Sequence, residues 1–73
     1  MNLSDIKRRV IELVPGLSDV KITQTDDKNG LYFLCTLAGK ARCVFAERLS
    51  YGAWVGLRTD EVIANEIARG LLV

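Results

Sequence analysis

Between Leu31 and Ala46 the chain alternates at the period of a β-strand. The odd positions Leu31, Phe33, Cys35 and Leu37, then Ala41, Cys43 and Phe45, fall on one face. The even positions Tyr32, Leu34, Thr36, Lys40, Arg42, Val44 and Ala46, with Arg48 beyond, fall on the other. The odd face is expected to be core, so truncating Phe33 or Phe45 to Ala is expected to cost about 3 to 5 kcal/mol. The even face mixes apolar, aromatic and basic side chains where plain polar ones would serve for water, which makes it the candidate working surface. With Ala38, Gly39 and Lys40 as a three-residue loop and Gly39 at positive φ, Phe33 faces Phe45 and Cys35 faces Cys43. A two-residue loop changes that register.

Upstream, Ser4 is a good N-cap, Asp5 follows it, and Ile6, Val10, Leu13 and Val14 recur at helical spacing, which predicts a helix over Ser4 to Val14. Pro15 and Gly16 end it. From Asp19 to Thr25, Val20 and Ile22 alternate with Lys21, Thr23 and Thr25, a first strand. Asp26-Asp27-Lys28-Asn29-Gly30 then reverses the chain into the hairpin. Gly52 and Gly56 interrupt the next apolar stretch, and a short edge strand is expected around Ala53 to Leu57. Thr59 caps a final helix over Asp60 to Arg69, whose Ile63, Ala64, Ile67, Ala68 and Leu71 form an apolar stripe, with Gly70 just past its end.

The pattern therefore predicts one small α+β domain over residues 1–73: two layers, an antiparallel meander of three to four strands, and an N-terminal and a C-terminal helix packed on one face, α-β-β-β-(β)-α. At 49% hydrophobic and 73 residues the chain is a folding composition of modest expected stability, which dimerisation would help. A formal charge of +1 gives no overall field that would attract nucleic acid or a membrane. No signal peptide or membrane-spanning run is seen, so a cytoplasmic location is expected, and Cys35 and Cys43 read as thiols in apolar strands.

Available chemistry is sparse. Histidine is absent, which removes the commonest general base and metal ligand. No glycine spacing matches a phosphate cradle, and two cysteines cannot close a zinc site. Asp26 and Asp27 read as turn formers, Asp60 and Glu61 as helix-start residues. No catalytic residue, cofactor or metal is expected, and the chain is not expected to be an enzyme. Lys7, Arg8 and Arg9 form a basic run near the start of the first helix, where Arg8 can pair with Glu12 one turn on. Lys40, Arg42 and Arg48 share the even face with Tyr32, an arrangement on which nucleic acid could stack and pair its phosphates.

The succession helix, three strands, helix at this length resembles the double-stranded-RNA-binding domain in topology, and Gly56-Leu57-Arg58-Thr59 precedes the last helix roughly where that family carries its basic signature. Where that family has a lysine-rich helix start, this chain has Asp60 and Glu61. The resemblance implies the same order of elements. The second functional reading is nucleic-acid binding with that topology, resting on Lys7, Arg8 and Arg9 of the first helix or on Lys40, Arg42 and Arg48 of the sheet face. The first reading is a non-enzymatic protein-interaction module, acting as a homodimer or as a stoichiometric inhibitor of a protein partner. It would bind through Tyr32, Leu34, Arg42 and Val44 of the sheet and through Tyr51 and Trp54 of the following loop.

Overall fold

The structure, a computed structural model, describes residues 3–50, 56–57 and 59–73, of which 49–50 and 56–57 by their backbone alone. The first helix, α1, spans Leu3–Leu13 and turns Ile6 and Val10 inward. Strand β1 spans Ser18–Gln24, β2 Gly30–Leu37 and β3 Lys40–Glu47. They form one antiparallel sheet in the order β1-β2-β3. Two-residue strands β4, Leu49–Ser50, and β5, Gly56–Leu57, pair with each other in a separate ladder, so the strand expected around Ala53 to Leu57 does not extend the main sheet. Residues 53–55 lie outside the described residues.

The last helix, α2, spans Asp60–Leu72 and starts at Thr59, whose side-chain oxygen accepts from the Val62 N–H at 3.3 Å. It runs through Gly70, which the sequence places just beyond the end. Gly70 has a packing task instead: a Cβ there would stand 2.9 Å from Cγ1 of Val44. Its bare backbone lets α2 lie close against β3.

Both helices pack on one face of the three-stranded sheet, α1 toward β1 and α2 toward β3, and against each other. The core between the layers consists of Ile6, Val10 and Val14, then Leu31, Phe33, Cys35 and Ala46, then Ile63, Ala64, Ile67, Ala68 and Leu71. Each large aliphatic or aromatic member contributes roughly 1.5 to 3 kcal/mol by leaving water. Among the described residues one face of the sheet is covered by the helices and the other is left uncovered, the α+β architecture expected from the sequence.

The hairpin differs from expectation in one residue, and the consequence is large. Its loop is Ala38-Gly39, both at positive φ (53° and 78°), and Leu37 pairs directly with Lys40. Two left-handed residues match the twist of the flanking strands, which offsets the steric cost of placing Ala38 there. With this register Phe33 lies opposite Val44 and Cys35 opposite Arg42, while Tyr32 lies opposite Phe45 and Leu34 opposite Cys43. Residues directly opposite share a face. Every side chain of β3 is therefore on the face opposite to the one the three-residue loop implied.

Candidate functional site

The uncovered face of the sheet is built from three cross-strand rows: Thr23, Tyr32 and Phe45; Lys21, Leu34 and Cys43; and Ser18, Thr36 and Ala41. Its apolar members remain open, with Tyr32 42%, Leu34 38% and Phe45 47% exposed. The Tyr32 and Phe45 rings meet at 5.0 Å between centroids and 53° between planes, a tilted aromatic pair. A Cβ on Gly30 would come within 2.7 Å of the Phe45 ring, so this ring also lies across the bare backbone of β2. The result is an apolar patch in which the Phe45 ring packs against Tyr32 and over Gly30.

Of the sequence-derived site residues, Tyr32 and Leu34 are on this face. Arg42 and Val44 are not; they are on the helix side of β3. Val44 packs against the core and under Gly70. The Arg42 guanidinium donates to the Gly70 carbonyl oxygen at 3.2 Å. That carbonyl belongs to the last turn of α2, where no intrahelical partner exists and a cation is favoured. Tyr51 and Trp54 lie outside the described residues. Phe45, expected in the core, is the residue that sequence reasoning missed. One signal pointed to it: Gly30, a strand glycine whose bare backbone a large neighbour can cover.

The basic residues are dispersed. Lys40 and Arg42 point to the helix side, and Arg48 reaches Gln24 Oε1 at 3.4 Å, so the three do not share a face with Tyr32. On α1, Arg8 pairs with Asp5 at 3.3 Å rather than with Glu12. Arg9 spans from α1 to α2 and holds Glu61 through two parallel contacts, Nε to Oε2 and Nη2 to Oε1, each 3.0 Å. This pairing keeps the Glu61 carboxyl below its ordinary pKa and raises the Arg9 guanidinium further. Lys7 remains half-buried on the same helix.

The carboxylates and thiols also have structural settings. Asp27 accepts from the Thr25 hydroxyl and from the Asn29 N–H, the latter at 3.0 Å, which closes the β1–β2 turn and lowers its pKa. Cys35 is buried on the helix side, where burial raises its thiol pKa, and Cys43 is exposed on the uncovered face. The two thiols of one chain thus point to opposite sides of the sheet and cannot bond to each other. Among the described residues there is no cluster of three or more His, Cys, Asp or Glu side chains placed to hold a metal, and no helix is long and apolar enough to cross a membrane. Compared with known proteins, the chain matches no family model, no curated protein and no solved structure. Its likeness to the double-stranded-RNA-binding domain is one of element order.

Proposed function

We propose that the protein is a non-enzymatic interaction module that docks a protein partner on the uncovered face of its sheet. The observation that carries this reading is the contiguous exposure of Tyr32, Leu34 and Phe45 on a face that neither helix covers. Apolar and aromatic side chains clustered at the centre of a face, with few charges among them, are the composition of an interface core. Lys21, exposed in the Leu34 row, supplies a polar rim. The partner surface that fits is apolar and poor in charge.

Nucleic-acid binding has weaker support in this geometry, because the aromatic rings and the cations Lys40 and Arg42 are on opposite faces and Arg8 and Arg9 are paired with carboxylates. Stacking and phosphate pairing need both on one surface.

The test uses the double variant Tyr32→Thr/Leu34→Thr, which keeps strand-forming residues at both positions. A protein captured by the wild-type chain is expected to be lost by this variant and retained by Lys7→Gln/Arg8→Gln, with little change in affinity as salt rises. Equal retention by the Thr variant, or an affinity that falls steeply with salt, would overturn the reading.

A further inference from the structure

We infer that the free edge of β3 pairs with β3 of a second copy of this chain, antiparallel about a two-fold axis, to give a six-stranded sheet. This concerns the edge of the sheet, and it does not depend on what docks on the uncovered face.

A two-residue hairpin closes on a hydrogen-bonded pair, here Leu37 and Lys40, and such pairs alternate along an antiparallel ladder. The Arg48 N–H bonded to the Asn29 oxygen at 2.9 Å has the phase this requires. Even-numbered residues of β3 therefore bond β2, and Ala41, Cys43 and Phe45 direct their N–H and C=O groups away from the sheet. Among the described residues no strand pairs with that side.

The two edges of the sheet are treated differently. Along β1 the ladder is broken by a bulge between Ser18 and Lys21, and Asp19 sits at a φ of 52°. Bulges of this kind are one way in which proteins prevent strand addition. The pairing of β3 with β2 runs from Glu47 to Lys40 without a shift, and of its outward-bonding residues, Ala41, Cys43 and Phe45 are uncharged and exposed, with Glu47 at the end of the strand. The guarded edge is β1 and the open edge is β3.

Charge then selects both the occupant and the register. In a two-fold antiparallel pair the opposed residues must share a face. Centring the axis on Arg42 sets two arginines against each other, and centring it on Val44 sets Lys40 against Arg48 of the second copy, both destabilising. Centring it on Cys43 produces no like-charge pair: Arg42 meets Val44, Lys40 meets Ala46, and the Phe45 ring meets the small Ala41. It also aligns the row Lys21, Leu34, Cys43 with its symmetry mate, so the apolar strip runs unbroken across the pair and ends in a lysine on each side.

Sedimentation equilibrium under reducing conditions at sub-millimolar concentration is expected to give twice the chain mass. Cys43→Lys, which opposes two ammonium groups without altering the backbone, is expected to halve that mass with an unchanged circular dichroism spectrum. Ala41→Pro, which removes an N–H aimed at the free edge, is a second route to the monomer. A short bismaleimide is expected to join wild-type chains through Cys43. Tyr32→Thr/Leu34→Thr, which lies on β2, is expected to remain dimeric, so loss of docking and loss of dimer are separable. A wild-type monomer at these concentrations, or a Cys43→Lys variant that stays dimeric, would overturn the inference.

Discussion

Phe33 and Phe45 are the two phenylalanines of the chain, on neighbouring strands, and they do opposite work. Phe33 is fully buried among both helices, whereas Phe45 is 47% exposed beside Tyr32 and Gly30. Phe33→Ala is expected to cost about 3 to 5 kcal/mol and Phe45→Ala only about 1 kcal/mol, the scale of one aromatic pair. Chemical denaturation of the two variants checks this, and equal losses would place both rings in the core. That Tyr32 and Leu34 face away from the helices was legible because β2 alternates cleanly and its parity does not depend on a loop. Val44 and Phe45 were assigned to the wrong faces because their parity depends on how many residues the turn consumes. Ala38 carries no sign of a left-handed backbone in its own chemistry, so the strand pattern alone leaves the loop length open.

At the level of elements, both helices were legible in the sequence because each carries an apolar stripe, and α2 starts at its expected cap Thr59; Ser4, expected to cap α1, lies inside that helix, which begins at Leu3. The end of α2 was not, because a glycine there suits a helix terminus and a close helix–sheet contact equally well, and only the Val44 side chain decides between them. Gly70→Ala separates the two. In an ordinary helix interior the added methyl would stabilise by about 1 kcal/mol. Against Val44 Cγ1 at 2.9 Å the overpacking cost of roughly 1 to 3 kcal/mol outweighs that gain, and a net loss of about 1 kcal/mol is expected by thermal or denaturant unfolding. In a Val44→Ala background the same substitution should turn stabilising. Stabilisation with Val44 in place would mean that α2 stands further from β3 than the geometry requires.

Across the whole molecule, α1 and α2 are joined by a bidentate contact between residues 52 apart in sequence, Arg9 with Glu61. Because the pairing lowers the Glu61 pKa in the folded state, its contribution is present above the ordinary carboxylate pKa of about 4.3 and is lost as pH falls through the lowered value. The stability gap between wild type and Arg9→Gln should therefore be constant from neutral pH down to about 5 and close under more acid conditions. A gap that persists at the acid end would assign Arg9 a packing role alone. With the helices packed on one side of the sheet, Tyr32, Leu34 and Phe45 stand open on the other, and the proposed docking rests on that exposure. A neutral gadolinium chelate added to the protein in solution tests this most directly, through the paramagnetic broadening of side-chain proton signals. Broadening of the Tyr32, Leu34 and Phe45 resonances with Phe33 and Val44 spared is the expected result; a broadened Phe33 with a protected Phe45 would contradict it.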